Sequence, residues 1–113
     1  MMGPVHLNRE LVLEVPDRQP DGAGGFIEAW LPRGTLWAEV VARTGRGVAG
    51  AAVSLSRATF RITVRAAPQG SPARPRPGQR FRDGSRLFVI QSVTERDPVG
   101  RFLTCWAEEE VVL

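Results

Sequence analysis

The chain has 113 residues, with fifteen basic side chains that are all arginine, twelve acidic ones and a net charge of +3. That length holds one domain, spanning residues 1–113, with a single core, and so modest a charge permits contact with nucleic acid without demanding it. A lone cysteine excludes an intrachain disulfide, and no apolar run approaches the roughly 20 residues needed to span a bilayer.

Strand-forming Val, Thr, Phe and Ile occur in short runs separated by 12 Gly and 9 Pro, which points to an all-β domain with many turns. The opening MMGPVHLNREL has neither the basic start nor the apolar run of a signal peptide, so synthesis in the cytoplasm is expected, with no membrane association. Residues 8–15 read as the first strand, with Leu11, Leu13 and Val15 on one face and Glu10 and Glu14 on the other. The next segment, PDRQPDGAGG (residues 16–25), reads as a connection too polar and glycine-rich to pack. Residues 26–31 form a second strand, interrupted by Pro32-Arg33-Gly34. A third follows over 35–43, with Leu36, Ala38, Val40 and Ala42 opposite Trp37, Glu39, Val41 and Arg43.

Residues 44–57 (TGRGVAGAAVSLSR) lose the period of two, and Val48, Ala51, Ala52 and Leu55 recur at helical spacing. A short helix over 48–56 is expected there, preceded by Gly45-Arg46-Gly47. The strictest alternation in the chain comes next, with Phe60, Ile62 and Val64 interleaved by Thr59, Arg61, Thr63 and Arg65, the pattern of a half-buried antiparallel strand. The proline-rich stretch APQGSPARPRP (residues 67–77) reads as an extended, exposed loop carrying Arg74 and Arg76. Asp83-Gly84 then marks a hairpin, because Asp-Gly supplies positive φ at little steric cost. Its second arm, Leu87-Phe88-Val89-Ile90, is apolar on both faces, so one face is expected in the core and the other against a partner or a packed helix. A turn over 96–100 leads into a last strand over 101–107, and Glu108 to Glu110 read as a solvated tail. The total is a small β-barrel or sandwich of six to seven short antiparallel strands with one helix or loop insertion.

Catalysis finds little support. The single histidine, His6, lies near the terminus, so no Ser-His or Cys-His pair is in prospect. Cys105 reads as a buried structural thiol in FLTCWA. Gly22-Ala23-Gly24-Gly25 is followed by neither a helix nor a GK[ST] ending, so it does not read as a phosphate cradle. Neither a metal nor a cofactor is expected.

Taken in order, the landmarks resemble those of the head–tail joining (head-closure, or stopper) proteins of long-tailed bacteriophages, a family also found in gene transfer agents. The resemblance spans nearly the whole chain: the first strand, then Asp21, Gly24 and Gly25 as an Asp-Gly-Gly connection, then Trp30 and Trp37-Ala38. A variable insertion, the strand FRITVR ending in Arg65, the Asp-Gly hairpin, Phe88-Val89-Ile90 and LTCW complete it. Ala66 stands where the family often has an aromatic residue.

The resemblance implies a β-barrel-like structural subunit of a virion or phage-like particle, made in the bacterial cytoplasm. Six or twelve copies would form a ring between the portal–adaptor complex and the tail, closing the DNA channel after packaging and docking the tail. Implied partners are further copies, a portal or adaptor protein, a tail-terminator or tail tube protein, and double-stranded DNA held without sequence preference. Arg43, Arg46 and Arg57 flank or lie in the insertion and are the channel-facing candidates. Asp21, Gly24, Gly25, Arg74, Arg76, Leu87 and Phe88 are the interface candidates. The insertion over 45–56 reads equally as a lumen-facing gate or as a short helix closing a barrel end. Two other readings stay open: a tail-terminator ring protein and a stand-alone nucleic-acid-binding barrel.

Overall fold

A computed structural model describes residues 4–43 and 58–110. Six strands account for most of them: β1 (Arg9–Pro20), β2 (Phe26–Arg43), β3 (Thr59–Arg65), β4 (Arg80–Asp83), β5 (Arg86–Glu95) and β6 (Phe102–Glu109). All pairings are antiparallel, in the order β1-β2-β3-β6-β5-β4, and pairing of Leu13 with Phe81 between β1 and β4 closes the sheet into a barrel. The helix expected over 48–56 lies outside the described residues.

Alternation decides what fills the barrel. Leu11 and Leu13 from β1, Phe60, Ile62 and Val64 from β3, and Leu103, Cys105 and Ala107 from β6 point inward and are buried. Phe81 from β4 and Phe88 and Ile90 from β5 complete the core with Ala38. Phe60 and Phe88 meet edge to face, with ring centroids 5.0 Å apart, the arrangement that aromatic quadrupoles favour. The interior is thus a packed core and not a pore.

Several boundaries differ from the sequence reading. Residues 16–20, read as part of a loop, continue β1 and pair with β2 from Pro16 opposite Trp30 to Pro20 opposite Phe26. Strand pairing needs backbone groups and not apolar side chains, so a polar segment joins a ladder when its partner is the next strand in the chain. The two strands expected over 26–31 and 35–43 are one continuous strand, because Pro32-Arg33-Gly34 is absorbed as a bulge: Leu13 pairs with Gly34 and Glu14 with Pro32, leaving Arg33 as the extra residue. Beyond the barrel, β1 and β2 continue together as a two-stranded arm.

The hairpin between β4 and β5 is present but shifted by one residue. Asp83 pairs with Arg86, so the two-residue turn is Gly84-Ser85, with Gly84 at φ +63. Glycine in the first turn position is the II′ arrangement, whose twist suits the flanking strands. Glu108 and Glu109 belong to β6 and are half-buried, not a solvated tail.

The proline-rich loop is less extended than its composition suggests. It must carry the chain from β3 to β4, which are not neighbours in the barrel, so it crosses the barrel end. Pro75 is consequently buried, and turns form where Ser71 N donates to Pro68 O (3.0 Å) and Arg74 N to Ser71 O (3.0 Å).

Candidate functional site

The chain has two chemically different ends. At one, the insertion end, Arg43 of β2 pairs with Thr59 of β3, the residues that bracket the insertion in the sequence. Arg86 and Glu109 occupy inward-facing positions at this end. Arg86 donates from Nε and Nη2 to the two Glu109 oxygens at 2.9 and 3.0 Å. The same guanidinium lies 5.0 Å from the Phe88 ring centroid and 5.5 Å from that of Phe60. The pair lies over the aromatic core where the lumen would open. The paired Arg86 holds the Glu109 carboxyl below its ordinary value, against the opposing effect of burial. Nearby, Arg9 is ion-paired with Asp83.

At the other end the arm projects. Its tip is tied by Asp21, whose Oδ1 accepts hydrogen bonds from the backbone N–H of Ala23 (2.7 Å) and Gly25 (3.0 Å). Those two bonds hold the Asp21 carboxyl below the usual range. Positive φ at Gly22 and Gly24 lets the backbone curl around the carboxylate.

The arm's base is clamped by the neighbouring strand β4. Glu14 faces outward yet is only 5% exposed, and accepts from Arg80 Nε and Arg82 Nε, each at 2.7 Å. Arg80 in turn lies 4.1 Å over the Trp30 ring on β2. Burial would raise the Glu14 carboxyl, but the hydrogen bonds from Arg82 and Arg80 outweigh it and hold it lowered. Further out, Arg18 lies 4.6 Å over Phe26.

The candidate residues separate accordingly. Asp21, Gly24 and Gly25 come together at the arm tip. Arg76 is exposed, whereas Arg74 is half-buried and donates from Nη1 to Ala67 O at 2.9 Å within its own loop. Leu87 is half-buried on the outer wall. Phe88 is fully buried in the core and cannot meet a partner, because alternation along β5 turns it inward with Ile90. Arg43 is exposed at the insertion end with its guanidinium 5.2 Å from the Trp106 ring. Arg46 and Arg57 lie outside the described residues.

Three features escaped the sequence reading: the Glu14–Arg80–Arg82–Trp30 clamp, the Arg86–Glu109 pair and the arm itself. The charge alternation of Arg80 and Arg82 was visible. Their partner, 66 and 68 residues away, was not.

Among the described residues no three His, Cys, Asp or Glu side chains gather as metal ligands. Burial pushes the Cys105 thiol up to about 12, far from a nucleophile's range. The described surface offers an arm with exposed Phe26, Ile27 and Leu31, a proline-rich loop across the same barrel end, and the end that carries Arg43. The chain belongs to the phage head completion protein family, whose model matches residues 2–110. It is similar to a chain in the virion of a native gene transfer agent particle, with 53% identity and a TM-score of 0.79 over 96% of this chain and 98% of that one. Protein SF1141 from Shigella flexneri 2a, known from its solution structure, shares the fold: 19% identity and a TM-score of 0.70, covering 99% of this chain and 100% of that one. No curated protein matches the chain.

Proposed function

We propose that this protein is a structural subunit of a tailed phage or gene transfer agent particle, forming a ring between the portal–adaptor complex and the tail. The observation that carries this reading is the 53% identity, nearly end to end, with a chain of a gene transfer agent virion. The geometry agrees with it. The barrel lumen is filled by Phe60, Phe81 and Phe88, so DNA can pass only through a hole enclosed by several copies. A head-to-tail ring of six or twelve subunits supplies one.

In this ring the insertion end, carrying Arg43, Arg46 and Arg57, faces the channel. DNA contact there is weak, salt-sensitive and indifferent to sequence, because a packaged duplex must slide past. The 45–56 segment gates the channel, and the tip of Asp21, Gly24 and Gly25, the loop of Arg74 and Arg76, and Leu87 meet neighbouring subunits, the adaptor or the tail.

Electron microscopy of particles from a strain lacking this chain tests the assignment. Heads that are full or leaking, and that carry no tails, are expected. Tailed, DNA-retaining particles in its absence would overturn it.

A further inference from the structure

The arm presents an unusual edge. β1 flanks β2 from Phe26 to Ala38, but β3 covers the other side only from Ala38 onward. From Phe26 to Trp37 that second edge has no strand partner among the described residues. Proteins ordinarily protect free edges with prolines, charges or covering loops. The arm's opposite edge, on β1, has Pro16 and Pro20, which carry no N–H. The β2 edge begins FIEAWL, with no proline in its first six residues.

The same strand concentrates exposed apolar side chains. Phe26 is 60% exposed, Ile27 56%, Leu31 43% and Trp37 55%, and of the described large apolar residues only Val99 joins them. The arm is also held in place before any partner arrives, by Arg80 on Trp30 at its base and by Asp21 at its tip. A site ordered in advance loses little entropy on binding.

We infer that the β2 edge of the arm is a docking site for an extended strand of a different particle protein, added by backbone pairing alongside Phe26 to Leu31. Backbone pairing supplies the binding, while Ile27 and Leu31 on one face and Phe26 on the other meet alternate side chains of the guest. This rests on the ring reading above. The four exposed side chains offer roughly 400 Å² of apolar surface, about half of the ~800 Å² that each partner contributes to a standard interface between globular faces. That area fits one strand better than a second folded surface. The arm's ionic residues are nearly balanced, with Asp17, Asp21 and Glu28 against Arg18 and Arg33, so a polyanion is not favoured. A second copy is a poor guest. Among the described residues its barrel strands offer only short unpaired stretches, past Ile90 on β5 and past Ala38 on the β1 side of β2, and its β1 edge carries Pro16 and Pro20, so the one long free edge it offers is β2 itself, paired β2 against β2. Such a pairing closes at two chains about a twofold axis and cannot continue around a ring.

The test uses intact particles. Ile27→Cys and Leu31→Cys each add one accessible thiol, since Cys105 is buried, and Ser85→Cys at the opposite barrel end is the control. A photoactivatable maleimide at 27 and 31 should join one stretch of another particle protein, at residues ~4 apart, as strand periodicity requires. In unmodified particles, amides within 26–37 should exchange at least ~10-fold more slowly than in the isolated protein. Adducts to a second copy of this chain, adducts scattered over several proteins, or unprotected amides would overturn the inference while leaving the ring reading standing. Absence of the chain from particles would overturn both.

Discussion

Glu14 shows how a single side chain holds the arm to the barrel. It bridges Arg80 and Arg82 of β4 from a position on β1 that is only 5% exposed, so removing its charge strands two cations at the arm's base. Glu14→Gln is expected to lower stability at neutral pH by about 2–3 kcal/mol, the usual range for losing charged hydrogen bonds of this kind. The pH dependence follows from the lowered carboxyl. In acid the unfolded chain takes up the proton before the folded one, so this contribution is complete above the ordinary value of 4.5 and is lost as pH falls further. Urea denaturation as a function of pH should show the gap between wild type and Glu14→Gln narrowing below that value. At the other extreme of reactivity lies Cys105, buried with its thiol pushed up to about 12. Native protein at pH near ~8 should resist alkylation by iodoacetamide and become labelled only on unfolding, as mass spectrometry would register; rapid labelling of the native state would contradict this burial.

At the scale of elements, the β4–β5 hairpin depends on Gly84. Its φ of +63 suits glycine, and a Cβ there would meet nothing within 4 Å, so the cost of substitution is conformational and not steric. Gly84→Ala should destabilise by about 1–2 kcal/mol, read as a shift in denaturation midpoint at unchanged slope. A change near zero would mean that the turn relaxes to another type. The arm illustrates the complementary case. Isolated two-stranded ribbons are marginal in water, yet this one extends past the barrel because it is clamped through Glu14, Arg80 and Trp30 and closed by Asp21.

For the whole molecule, the closed sheet has a filled interior and two distinct ends, one carrying the arm and the other carrying Arg43 and Thr59. Arg43 and Thr59 are paired across β2 and β3, so a two-residue Asn-Gly turn can join the strands in place of residues 44–58. The shortened protein should keep a cooperative unfolding transition with a midpoint within a few degrees of the parent. In particles it should release packaged DNA if the segment gates the channel. DNA retention by such particles would remove the gate assignment, and loss of cooperative folding would show that the barrel needs the segment.

The amino-acid order by itself was enough to establish an all-β chain, the inward faces of β1 and β3, the neighbourhood of the β4–β5 turn, and the family. Each of these rests on alternation, turn residues or the order of landmarks, and all of those are local. Only the tertiary structure decided that residues 16–31 form an arm, that Phe88 is core while Leu87 is wall, and that Arg74 folds back on its own loop. It also decided that Glu14 meets arginines far along the chain and that Arg86 and Glu109 sit together over the core. The physical reason is closure. A strand's partners across the barrel are set by which edges remain once neighbours have paired, and neither periodicity nor propensity encodes which distant edge will fill the last place in the ring of strands.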